Sequence, residues 1–230
     1  METEKSKMII EYILFCLNVI TWLICVILIG ICFWVRFDPE ITDWIEKLEV
    51  KQFYTGLYIL IVCALAHIAS GVISCMGTFS ENKRLLAVNI VAQILLFILC
   101  LAGAAVLMEN SSFKSSIHHA IKNIMVGLIQ LYPSYEPANK ILATIQESVG
   151  CCGGEGYNDY IRLHRALPSE CRDSVTGHTH YYSCADSISW ILEGRSSWIT
   201  GLAILLCAKK MLNAVLSTVL IHLINLSQDQ

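Results

Sequence analysis

A chain of 230 residues with 55% hydrophobic and only 15% charged residues departs from soluble domains, which average roughly 45–50% apolar and 25% charged. Its mean hydropathy of +0.58 points the same way, and a net charge of −3 supplies no basic footprint for nucleic acid. An ordinary soluble domain and a nucleic-acid binder are both excluded.

In chain order, residues 1–11 form a short polar tail carrying Lys5 and Lys7. No cleavage-site pattern follows the first apolar run, so residues 12–35 are expected to stay as a signal-anchor and first span. Roughly 20 residues suffice to cross a bilayer core. Residues 36–55 make a short polar connection, with Asp38-Pro39 as a helix stop. Further spans are expected at 56–79, 85–108 and 198–221. Only residues 80–84 separate the second span from the third, which implies a tight antiparallel hairpin. Residues 109–197 are the one large soluble segment, and 222–230 are the closing tail. Four spans place both tails on one side. Lys and Arg counts in the short loops vote weakly on which side that is.

Helix seams in lipid favour small residues. In the second span Gly56, Cys63, Ser70 and Gly77 recur every seven residues, and in the first Asn18, Cys25 and Cys32 do the same. A seven-residue period implies a left-handed bundle. Asn18 stands out, because a buried amide in lipid needs a partner.

The soluble segment opens with Phe113, Ile117, Ile121, Ile124, Leu128 and Leu131 at helical spacing, which predicts one amphipathic helix, stopped by Pro133. Ile141, Leu142, Ile145 and Val149 predict a second, ending at Gly150. Of eleven cysteines, seven lie in apolar runs, where a thiol behaves as a small hydrophobe. Cys151, Cys152, Cys171 and Cys184 share the polar segment, an even set that suggests an oxidising compartment. Four cysteines allow three connectivities; the vicinal one is disfavoured, because it strains the intervening peptide. A segment this small is expected to need such staples.

Several stretches together resemble the tetraspanin family. Asn18, Trp22, Gly30, Trp34, Arg36 and Asp38-Pro39 are similar to that family's first helix and its exit. Cys151-Cys152-Gly153, Pro168-Ser169-Glu170-Cys171 and Cys184, placed between spans three and four, resemble the signature of its large extracellular loop. The resemblance implies an all-α membrane protein: a four-helix bundle with a small helical, disulfide-stapled outer loop between helices 3 and 4. It implies the pairs Cys151–Cys184 and Cys152–Cys171, and a variable region that recognises partners. Tyr157, Tyr160, Tyr181 and Tyr182 are the contact candidates there, tyrosine being enriched in binding hot spots. Two positions depart from the family. Where it often carries an acidic or amide residue late in span three, this chain has Leu101, with Gln93 higher up; where it usually carries Glu in span four, this chain has Asn213. Asn18, Gln93 and Asn213 are therefore expected to line an interior cleft suited to a sterol or other lipid.

Lys209 and Lys210 are the least expected pair, since each lysine at a bilayer centre costs about 2.5–3.5 kcal/mol on insertion scales. Snorkelling to an interface is the expected solution; a carboxylate from a partner, or a lipid headgroup, is the sharper one. Cys75 and then Cys16 are the S-acylation candidates. No catalytic constellation stands out. His118-His119, His178 and His180 lack the spare cysteines a zinc site would want, and Cys151-Cys152 is not the Cys-x-x-Cys pair of a membrane thiol-disulfide enzyme. A junction protein of the claudin kind would carry its cysteines in the first loop, and a channel subunit would line its seams with charge. The expected function is a non-enzymatic scaffold. It would bind other membrane proteins laterally, further tetraspanins among them, at the plasma membrane or cell junctions with an endosomal pool.

Overall fold

The computed structural model describes residues 2–113 and 115–228. It is all-helical: α1 (Glu2–Phe37), α2 (Pro39–Lys47), α3 (Gln52–Phe79), α4 (Lys83–Glu109), α5 (Ser116–Leu131), α6 (Glu136–Val149), α7 (Asn158–Arg162) and α8 (Cys184–Gln228), with one 3₁₀ turn at Ser169–Cys171. Among the described residues the β structure is a single bridge between Arg172 and Thr179. The chain divides into two compact units. The first comprises Met1–Trp34, Gly56–Ala105 and Ile199–Gln230; the second comprises Val35–Thr55 and Val106–Trp198. Four helices, α1, α3, α4 and α8, are long and apolar enough to cross a membrane.

The first unit is built on heptads. In α1 one buried row is Leu14, Asn18, Thr21, Cys25, Leu28 and Cys32, and in α8 one is Ile199, Ala203, Leu206, Lys210, Asn213, Ser217, Leu220 and Ile224. Along these rows steps of three and four alternate, the seam of a left-handed supercoil. In α3, Gly56, Cys63, Ser70 and Gly77 all face inward. Glycine is needed where helices touch. A Cβ on Gly71 would lie 2.6 Å from Trp22 Nε1, and one on Gly77 would lie 2.6 Å from Leu86 Cδ1. Trp22 is seated there by its indole N–H, which donates to the Ile68 carbonyl at 3.3 Å.

Three boundaries differ from expectation. Helix α1 starts at Glu2 rather than after residue 11, because Lys and Glu are good helix formers and Lys7 turns inward to Glu81 at 2.6 Å. Helix α8 starts at Cys184 rather than at 198. Its leading turns are amphipathic, burying Ala185, Ile188 and Leu192. Asp38-Pro39 ends α1 but also begins α2: the Asp38 carboxylate accepts from the backbone N–H of Glu40 at 3.1 Å, and Pro39 takes the first helical position, where its missing N–H costs nothing.

In the second unit α5 buries Ile117, His118, Ile121, Met125 and Ile129. The expected stripe was out of phase at its ends: Phe113 and Leu131 are exposed, and Ile124 and Leu128 are half-buried. Branched and straight apolar residues surround this helix, so composition alone does not set its phase. Helix α6 buries Ala138, Leu142, Ile145 and Gln146 and ends at Gly150, whose φ of 68° is left-handed, the usual C-terminal cap.

Candidate functional site

Four cysteines and the glycines around them set the geometry of the second unit. Cys151 is bonded to Cys184, with Cα atoms 4.9 Å apart, and Cys152 to Cys171 at 5.0 Å. Gly153 has φ +68°, and a Cβ there would lie 2.2 Å from the Gly156 carbonyl oxygen; no other residue fits. Backbone bonds tighten the knot, from Cys152 N–H to the Tyr182 carbonyl at 3.1 Å and from Cys184 N–H to the Gly153 carbonyl at 2.9 Å. The Asp159 carboxylate, buried beneath, accepts from the N–H groups of Gly154 and Glu155 at 2.9 and 2.7 Å.

Tyr160 is not a contact residue. It is 0% exposed and donates its hydroxyl to Gln146 Oε1 at 3.2 Å; burial pushes the phenol above its ordinary pKa. Its place on α7, one residue after Asp159, turns it under the knot rather than outward. Tyr157 is exposed. Tyr181 and Tyr182, 84% and 64% exposed, stack edge to face with ring centroids 5.5 Å apart. Beside them lies an apolar groove of about 470 Å³ lined by Phe113, Tyr182, Asp186, Ser187, Trp190 and Ile191. Trp190 is 75% exposed; hydropathy alone places it in the polar loop, whereas it stands on an exposed face of α8.

The second unit also carries two charged features. Glu155 pairs with Lys122 and Arg162, and the Lys122 ammonium holds its carboxyl below the usual range. Asp173 accepts from the N–H groups of Thr176 and Val175 at 2.7 and 2.8 Å, which lowers its pKa likewise and shapes the turn carrying His178. His118 is buried against Ser189, Nδ1 to Oγ 3.3 Å. Among the described residues no group of three or more His, Cys, Asp or Glu side chains could hold a metal ion.

The polar residues of the spanning helices sort differently from expectation. Asn213 donates to Asn18 at 3.0 Å, and Asn18 donates to the Cys75 sulfur at 3.6 Å. Gln93 does not join them: it is buried with neither carboxamide atom hydrogen-bonded. The amide that α4 does engage is Asn89, which accepts from Ser70 at 2.9 Å. Cys75 and Cys16 are both half-buried free thiols.

Lys209 and Lys210 do not snorkel. Lys209 donates to the Leu17 carbonyl and the Thr21 hydroxyl of α1. Lys210 is 1% exposed, and its ammonium has no hydrogen-bond partner. The reason is helical phase, since residue 210 falls on the α8 seam between Leu206 and Asn213. His67, on the seam of α3, is also fully buried with neither ring nitrogen bonded. It sits four residues beyond Cys63, on the companion series Leu60, His67 and Ser74 of the same 3–4 seam.

Comparison with known proteins agrees with this architecture. The profile of the Tetraspanin family matches residues 10–223. Tetraspanin-2A of Drosophila melanogaster is 34% identical over 229 residues, covering 100% of this chain and 93% of its own. CD81 antigen of Rattus norvegicus is 26% identical and that of Homo sapiens 24%, each covering 96% of both chains.

Proposed function

This chain belongs to the tetraspanin family, and from that membership we propose that it gathers partner membrane proteins laterally into surface or cell-junction assemblies. A multi-pass membrane scaffold is the general role the family supports. The partner-binding surface is assigned to the second unit, taken to face outward. The observation that carries it is the exposed aromatic set of Tyr181, Tyr182 and Trp190 beside an apolar groove. Tyrosine and tryptophan dominate binding hot spots because they desolvate large rigid areas. Contiguous aromatics held in water by a disulfide frame contribute nothing to that unit's own core. They are available for a partner.

Other tetraspanins and membrane lipid, including a sterol held within the bundle, complete the expected set of contacts. Affinity purification of the full chain in mild detergent tests the assignment. Changing Tyr181, Tyr182 and Trp190 together to alanine is expected to remove a subset of co-purifying membrane proteins while both disulfides persist. An unchanged set of partners would refute the surface.

A further inference from the structure

Among the described residues no ion pair joins either lysine of α8 to a carboxylate. Within residues 12–34, 56–80, 85–105 and 199–228 the sequence holds no Asp or Glu. Lys209 reaches only two neutral oxygens, the Leu17 carbonyl and the Thr21 hydroxyl. The Lys210 ammonium is buried with no hydrogen-bond partner. Charges inside membrane proteins are ordinarily paired, and in a low-dielectric core an opposite charge is attracted far more strongly than in water.

Depth decides what could supply that charge. Lys209 lies eleven residues beyond the exposed Trp198, or about 16 Å along the helix. That is close to the midplane of a hydrocarbon core about 30 Å thick, with Trp198 as the interfacial anchor. A phospholipid headgroup sits at the surface, so its anion is at the wrong level. An Asp or Glu in the middle of another spanning helix is at the right one. The route is also open. Lys209 is half-buried rather than enclosed, and its helical neighbours Leu205 and Leu212, with Ile13 and Ile20 on the Leu17 side of α1, are exposed and apolar. That surface suits a helix packing from the lipid.

We propose that the α1/α8 seam at Lys209 docks a partner's transmembrane helix carrying a carboxylate near its centre. Lys209 makes the contact, and Lys210 behind it adds attraction. This inference rests on the scaffold role and names a class of partner for it.

The test uses the full chain reconstituted in phosphatidylcholine vesicles with labelled Leu/Ala spanning peptides of about 20 residues. The peptides carry Glu at the centre, Gln at the centre, or Glu at one end, and association is read by energy transfer. The central-Glu peptide is expected to bind at least ~10-fold more tightly than the other two. Lys209→Met with Lys210→Met should remove that preference, and Lys209→Arg with Lys210→Arg should keep it. Mass mapping of the two disulfides in each variant checks that the chain is folded. Equal binding of the Glu and Gln peptides, or a preference that survives the double methionine change, overturns the proposal. So does oleate binding the wild-type chain while the central-Glu peptide does not. Partners captured through Tyr181, Tyr182 and Trp190 are scored separately on the same variants. Their retention alongside peptide failure removes only this inference and leaves the scaffold role standing.

Discussion

The two units solve the problem of buried cysteine and buried amide in opposite ways. In the second unit every one of the four cysteines is covalently paired. Its one fully buried amide is engaged: Gln146 accepts from Tyr160 and Gly153 and donates to the Leu142 carbonyl, while the half-buried Asn139 keeps its Oδ1 without a partner. In the first unit Cys25, Cys32, Cys63, Cys100 and Cys207 are free and buried, and Gln93, His67 and Lys210 carry polar atoms without partners. Solvent explains the difference. A small water-exposed fold has too little core to hold itself and depends on cross-links and satisfied polar groups. Spanning helices keep their backbone bonded in lipid regardless, so their thiols need only be small.

The comparison breaks most sharply on the disulfides. Replacing Cys152 and Cys171 together by serine is expected to cost the second unit about 2–5 kcal/mol, seen as rapid limited proteolysis within residues 109–197. Cys25→Ala and Cys32→Ala in the first unit should cost no more than about 1–2 kcal/mol, the loss of a small buried group. Equal sensitivity in a thermal melt would end the contrast.

Packing gives the next effect, now with the first unit as the sensitive partner. Gly71→Leu forces a side chain into the space that Trp22 fills, and overpacking of this kind costs about 1–3 kcal/mol. Gly177, with open space around it, is a fair comparison in the second unit. Its φ of +70° makes alanine mildly strained, at roughly 1 kcal/mol. Thermal unfolding in detergent reads both.

Much of this division was legible in the sequence, and its gaps have physical causes. The heptad of Gly56, Cys63, Ser70 and Gly77 was visible because small residues stand out among large ones. His67 and Lys210 lie on the same kind of seam but are polar, and polarity invites an outward assignment that only helical phase corrects. Tyr160 was misplaced because α7 is five residues long, too short for a period to declare which face is buried. Trp190 was missed for a related reason: α8 begins well ahead of its apolar run, and hydropathy sees only the run.

Tyr160→Phe tests the satisfied polar core more finely. It removes the hydroxyl that Gln146 Oε1 accepts, leaving that oxygen with the longer Gly153 N–H contact at 3.4 Å. The expected loss is about 1 kcal/mol, typical for one buried hydrogen bond, read as a lower melting temperature of the second unit. Gln93→Leu is its counterpart in the first unit. Because both carboxamide atoms of Gln93 are buried and unbonded, replacing them by an apolar group of similar size should be neutral or stabilising. A large loss there would mean that Gln93 holds something in the membrane.

The smallest effect concerns acid. Glu155 lies below its ordinary pKa chiefly through the Lys122 ammonium, with Arg162 adding to it. A carboxylate with a depressed folded-state pKa contributes stability that is fully present above its unfolded value near 4.5. That contribution is lost as pH falls through the folded value. Glu155 is exposed, so the amount is that of a surface pair, about 0.2–1 kcal/mol and screened by salt. Glu155→Gln should therefore flatten the acid limb of the second unit's stability curve slightly below pH 4.5 and leave the neutral plateau lower by the same amount. High salt should erase the difference. The first unit gives no such limb from its midplane, where the sequence carries no carboxylate at all.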